Sequence, residues 1–331
     1  MFQKYRVATR GLILAFVGLA GVIGAPALAQ APAGYPNRSI RFVVPYAPGG
    51  LPDTVARIVA QRLQERIGQS VVIENKPGAN GAVAAAAISQ APADGYTFLV
   101  TDGSMFSINP KIYAKLDYNP SKDFVPVALI ARAPLFLAAV PGMPANSFKE
   151  FVAYARGNPG KVNYGSSGIG STHHLTMEAI KAEYRIDIVH IPFKGTGQSV
   201  PALVGGQVDV LWSAYPSLAG FVKDNKVKLL ATNSAKRSPQ APDVPTVAEV
   251  IPGFDFAPIV GILAPAGTPK GIVDKIATEV VAVTKMPETQ KQFAAAGIEP
   301  VGGGSDEYAK AIADENARMA KAIEAAGIKP E

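Results

Sequence analysis

Short apolar runs alternate with amphipathic stretches along most of this chain. Residues 40–44 (IRFVV) form a compact apolar run, and residues 52–67 place Val55, Ile58, Val59, Leu63 and Ile67 on one face at helical spacing. Pro52 suits the first helical turn, where a missing N–H costs nothing, and Gly68 supplies the stop. Continuing in this way, the pattern predicts strands over 71–74, 97–101, 125–130, 136–140, 162–164, 186–193, 208–212, 227–231 and 260–264. It predicts helices over 80–90, from Ser147, over 172–184, to Val204, from Thr268-Pro269 to about 285, and after Ser305. Ser147 and Glu150 have capping-box spacing, each side chain satisfying the other's backbone N–H. Such alternation argues for α/β architecture with parallel sheets. No period of 20–50 residues emerges, which excludes a solenoid. No long polar linker divides the chain either, so two domains would be joined by short crossings near 133 and 258. The expected units are 30–132 with 259–331, and 133–258.

The first 29 residues depart from this pattern. Lys4, Arg6 and Arg10 precede an apolar run from Gly11 to Ala25, and Ala27-Leu28-Ala29 has small residues at cleavage spacing. This reads as a secretory signal peptide, because the run falls short of the roughly 20 residues that span a bilayer. The formal net charge of +6 includes those three positive charges, so the exported chain carries a mild, dispersed charge that does not argue for nucleic acid. With no cysteine there are no disulfides, no thiolate chemistry and no Cys-ligated metal. Lipoprotein anchoring also needs a cysteine at the cleavage site. A free periplasmic protein is expected.

Candidate enzymatic chemistry is weak. Ser166, Ser167, His173, His174 and His190 are available, but the G-x-S-x-G elbow of a hydrolase is absent. Adjacent His173 and His174 point about 100° apart on a helix, and H-E-x-x-H spacing is absent. One of the two packs or caps; the other faces solvent or a cleft. In "GSSGIGSTHH" His173 replaces the third glycine of a dinucleotide fingerprint, and no P-loop lysine follows a glycine-rich loop. No cofactor or metal is expected.

A recurring device remains. Strand ends run into Gly/Ser/Thr-rich loops that open helices at 47–51, 166–172 and 195–199, with a fourth polar loop at 101–104. Ligands of open α/β sheets bind beyond the carboxyl ends of strands, and helix N-termini offer partial positive charge and free N–H donors. Several such termini facing one cleft would hold a carboxylate without arginine or metal.

The stretches "YPNRSIRFVVPYAPGGLPDTVARIVAQRL", "VVIENKPGANG", "INPKIYAKLDYNPSKDFVPVALIA", "PGKVNYGSSGIGSTHHL", "VHIPFKGTGQSVPALVGGQVDV" and "TNSAKRSPQAPDVPTVAEV" carry a resemblance from about Tyr35 to the C-terminus. The chain resembles the periplasmic substrate-binding proteins of the tripartite tricarboxylate transporter family, also called the Bug family. The resemblance implies a two-domain periplasmic-binding-protein fold (type II, Venus-flytrap), with a ligand cleft between α/β domains that close like a jaw. It also implies a small organic acid as ligand and delivery to large and small integral-membrane permease subunits. A monomer is expected. Carried over from the family, the first-strand loop supplies Tyr46, Ala47, Pro48, Gly49 and Gly50, with Thr101 and Ser104 on the same wall. The opposite domain supplies Ser166, Ser167, Ser171, Thr172, His173, Lys194, Gly195 and Thr196.

One departure concerns Trp212-Ser213-Ala214, where many relatives carry an acidic residue. Its loss removes repulsion toward an anion and weakens the case for an amino acid ligand. Trp212 either supplies an aromatic wall or points into the core; as candidates, Trp212 and Ser213 complete the site. A dicarboxylate or an aromatic carboxylate is favoured. The alternatives are a ligand sensor serving a signalling partner and an exported Ser-His hydrolase.

Overall fold

The computed structural model describes residues 1, 31–46, 48–193 and 195–329. The expected signal peptide lies outside the described residues apart from Met1, as do Ala47 and Lys194.

The first sheet is built from β1 (Ile40–Val44), β2 (Val71–Asn75), β3 (Thr97–Asp102), β4 (Phe124–Arg132), β10 (Ile259–Pro265) and β11 (Glu299–Gly303). The second takes β5 (Leu135–Ala139), β6 (Asn163–Ser166), β7 (Val189–Pro192), β8 (Val210–Ala214) and β9 (Lys228–Thr232). Among the described residues their orders are β2-β1-β3-β10-β4-β11 and β7-β6-β8-β5-β9. Both sheets therefore follow one scheme. Three parallel strands run in the order second, first, third, and an antiparallel strand then enters from the other half of the molecule. This corrects the expectation of parallel sheets. β5 and β10 each cross from one sheet to the other, so each runs against its new neighbours.

The sequence pattern explains the layers. β1 is almost continuously apolar because both faces are covered, with Phe42, Val43 and Val44 buried. α1 (Leu51–Ile67) buries Val55, Ala56, Val59, Ala60 and Leu63, and ends where Gly68, at φ 68°, returns its N–H to Gln64 O at 3.0 Å. The first half also carries α2 (Ala82–Ser89) and the single-turn helices α3 (Ser104–Ser107) and α4 (Asn109–Ile112). The second carries α5 (Phe148–Gly157), α6 (Thr172–Tyr184), α7 (Thr196–Val204) and α8 (Tyr215–Lys223). α9 (Lys270–Thr284), α10 (Pro287–Ala295) and α11 (Ser305–Ala325) follow β10.

At α5, Ser147 accepts from Glu150 N at 3.2 Å, but the Glu150 carboxylate reaches one residue past the cap and accepts from Asn146 N at 2.7 Å. The expected capping box is thus displaced by one residue, with both donors still satisfied.

The two crossings run side by side. Ala133 N donates to Pro258 O, Arg132 pairs with Asp255 at 2.5 Å, and Asn233 ties Leu135 to Phe256. α11 forms a third connection. Tyr308 and Ile312 belong to a core cluster of the first half, whereas Met319, Ala322 and Ile323 belong to the core of the second.

Candidate ligand-binding cleft

A cavity of about 800 Å³ lies between the two halves, with residues of both crossings, Ala133, Leu135 and Pro258, in its wall. That volume suits a small organic molecule.

Among the described residues, four helices of eight residues or more present their N-termini to this cavity. α1 contributes Gly50, Leu51 and Thr54, α6 contributes Ser171, Thr172 and His173, α7 contributes Gly195 and Thr196, and α8 contributes Ala214, Pro216 and Ser217. No side chain caps α1, α7 or α8. Each helix follows a strand of its sheet, so strand, tight loop and helix start recur in the same orientation. An anion at one such terminus gains about 0.3–1 kcal/mol at the surface and up to ~2 kcal/mol when partly buried.

The β1–α1 loop is held from behind. Asp53, only 2% exposed, accepts from Gly49 N at 2.8 Å, from Arg57 at 2.9 and 3.0 Å, and from Asn75 Nδ2 at 2.8 Å. Burial alone would raise its pKa, but the hydrogen bonds from Arg57, Gly49 and Asn75 outweigh this and hold it below the usual carboxylate value. The Gly49 amide, expected to face a ligand, is therefore engaged by the protein's own carboxylate. Tyr46 lines the cavity and donates its hydroxyl to Asp102 Oδ1 at 2.9 Å. Pro48 is exposed and stands outside the lining.

Aromatic rings, buried at Tyr164 and His174 and half-buried at His190, support the opposite wall. His174 and His190 stack with centroids 4.0 Å apart, and His190 stacks on Tyr164 at 4.7 Å. His174 Nδ1 accepts from Gly170 N at 3.1 Å, and His190 Nε2 meets Ser166 Oγ at 2.6 Å. Tyr164 and Lys181 both donate to Glu178 beside the stack. Burial pushes His190 down to about 4, with His174 and Lys181 adding repulsion, so the stack is neutral at pH 7. His173 points the other way, into the cavity lining, and burial pushes it down to about 4 as well. Its Nε2 and the Ser167 Oγ are buried without a hydrogen-bond partner in the structure. Such orphan groups call for an explanation, and a ligand in the cavity supplies one.

The structure gathers Tyr46, Gly49, Gly50, Ser104, Ser167, Ser171, Thr172, His173, Gly195 and Thr196 around one cavity. Besides Pro48, it leaves four candidates outside the lining. Trp212 is fully buried in the core with Tyr164 and Leu175, because alternate residues of β8 face that side. Ser213 is fully buried too, opposite Phe136, and only Ala214 at the strand end reaches the cavity. Thr101 is fully buried and turns its hydroxyl to Met105 Sδ at 3.4 Å. Ser166 is 1% exposed and holds the loop through His190; this Ser–His contact lies behind the wall, outside the cavity lining.

Sequence reasoning missed the α8 start, although Pro216 marks it as Pro52 marks α1. It also missed Asp102, which sits within a loop already singled out, and an apolar side made by Ile112, Tyr113, Ile169 and Ile298.

The profile of the tripartite tricarboxylate transporter family receptor matches residues 55–328. The chain belongs to that receptor family. Protein BugT of Bordetella pertussis is 31% identical over 325 residues, covering 98% of each chain. Among solved structures, an R. palustris protein with adipate is 35% identical with a TM-score of 0.80, covering 90% of this chain and 100% of that one. MatC from Rhodopseudomonas palustris with bound malate is 31% identical with a TM-score of 0.74, covering 87% and 100%. Periplasmic binding proteins of this receptor family thus share the fold, and the family is one of solute receptors. No helix among the described residues is long and apolar enough to cross a membrane.

Proposed function

We propose that this receptor captures a small organic carboxylate in the cleft and delivers it to a tripartite tricarboxylate-type permease, without catalysis. The observation that carries the reading is the convergence of four helix N-termini, from both halves, on one cavity. The α1 start and Ser104 form one jaw; Ser167, Ser171, Thr172, His173, Gly195 and Thr196 form the other. The jaws follow the sheets, residues 30–132 with 259–331 against 133–258, and the chain works as an exported periplasmic monomer. A ligand that touches both jaws only when they are closed shifts the population toward the closed form, which the permease then recognises. The relatives solved with adipate and malate support a dicarboxylate, and the apolar side of the cavity accommodates an aromatic carboxylate equally.

A thermal-shift screen of mono-, di- and tricarboxylates, aromatic acids, amines and sugars tests this. A ligand bound at 100 times its Kd stabilises the fold by about 2.7 kcal/mol, so a carboxylate hit raises the melting temperature measurably. A flat response across the acids, with a hit among amines or sugars, would overturn the assignment.

A further inference from the structure

Asp102 stands out by charge. Among the described residues that line the cavity it is the only acid, and none of them is a lysine or arginine. Its Oδ1 accepts from the Tyr46 hydroxyl at 2.9 Å and from Ser104 N at 3.1 Å. All these partners are neutral. Asp53, a few residues beyond the loop, shows the contrast: Arg57 compensates it, and it stands outside the lining. Behind Asp102 the surroundings are acidic. The Glu315 carboxyl packs against Gly103 so closely that a side chain there would collide with it, and Glu315 is 4% exposed. Glu315 Oε2 and the Tyr308 hydroxyl are both buried without a partner. Burial raises the pKa of both carboxyls, and the charge of Asp102 lifts Glu315 further.

The lining therefore combines unlike groups, helix N-termini that attract an anion and a carboxylate that repels one. A ligand that places only carboxylates and carbon in this space leaves Asp102 uncompensated. One that carries a hydroxyl or ammonium group beside its carboxylate satisfies both kinds of group. We propose that Asp102 is a specificity-determining residue, accepting a hydrogen bond from an O–H or N–H donor on the ligand and selecting donor-bearing carboxylates over plain ones. This rests on the carboxylate-binding reading above. It also restores an acceptor that the Trp212-Ser213-Ala214 run lacks.

The test is calorimetry of the purified protein with matched probes: succinate, malate and aspartate; glutarate, 2-hydroxyglutarate and glutamate; benzoate and 4-hydroxybenzoate. In at least one set the donor-bearing acid binds tenfold or more tighter than the plain acid. In Asp102→Asn that preference falls to threefold or less, while the plain acid binds as tightly as before or tighter. A larger loss for the ammonium than for the hydroxyl probe identifies the amine as the donor, and the reverse identifies the hydroxyl. Plain acids binding as tightly as their partners, or a preference that survives in an Asp102→Asn protein of unchanged circular dichroism, would overturn the role of Asp102 and leave carboxylate binding standing. Failure of every acid to bind would remove both.

Discussion

Gly49 holds a φ of 84°, a conformation that side chains rarely adopt, although an added Cβ would meet nothing within 4 Å. The cost of substitution there is backbone strain and not a clash. Gly49→Ala should destabilise the protein by about 1 kcal/mol, the usual scale at positive φ. It should also weaken ligand binding by moving the loop that Asp53 clamps. Thermal melts and calorimetry on the same preparation check both effects. Glu315 gives a second prediction, with a definite sign. Its folded pKa of about 8 lies above the ordinary value of 4.5, raised by burial first and by Asp102 second. Between those values the folded state keeps a proton that the unfolded state has lost, so stability falls as pH rises. The scale is a few kcal/mol, at about 1.4 kcal/mol per pKa unit. Glu315→Gln removes the ionisation, so it should raise the melting temperature more at pH 8 than at pH 5.5; melts at the two pH values decide it.

At the scale of elements, the strand–loop–helix units are both the legible part and the working part. α6 covers the span that the sequence pattern predicts, with Ser171 as its N-cap and Arg185, at φ 51°, as its C-cap. Its Ser171 hydroxyl accepts from His174 N at 3.3 Å and donates to Gly168 O at 2.7 Å, tying the cap to the loop before it. Ser171→Ala should cost about 1 kcal/mol of stability, a typical cap loss. It should also speed ligand release, measured by stopped-flow, because the loop bearing Ser167 loses its anchor. The pairing of His173 and His174, one toward the cleft and one packed, followed from their 100° separation. Which one packs depended on His190 and Tyr164, brought alongside only by the sheet. The burial of Ser213, and which of the two readings of Trp212 holds, were not legible for a related reason. On a strand the face changes with every residue, so the cleft-facing member of Trp212-Ser213-Ala214 depends on where β8 ends. That end is fixed by its pairing with β5, a strand remote in sequence.

Across the whole molecule, alternating apolar runs and amphipathic helices revealed α/β architecture, and the strands divide between the sheets near 133 and 258. The antiparallel entries of β5 and β10 were not legible, because strand direction depends on the crossings. Nor was the bridging role of α11, whose 21 residues serve two cores with one apolar stripe. The proposed closure of the jaws would bend two adjacent crossings while α11 remains seated on both halves, which favours a short, shear-like excursion over a wide swing. The proposed role of the helix N-termini from the two jaws is to hold a carboxylate by its charge. Its most direct test is calorimetric titration with the carboxylate that gives the largest thermal shift, run beside its primary amide of the same shape. Tight binding of the acid and a loss of at least a hundredfold for the amide are expected. An amide that binds as tightly as its acid would contradict it.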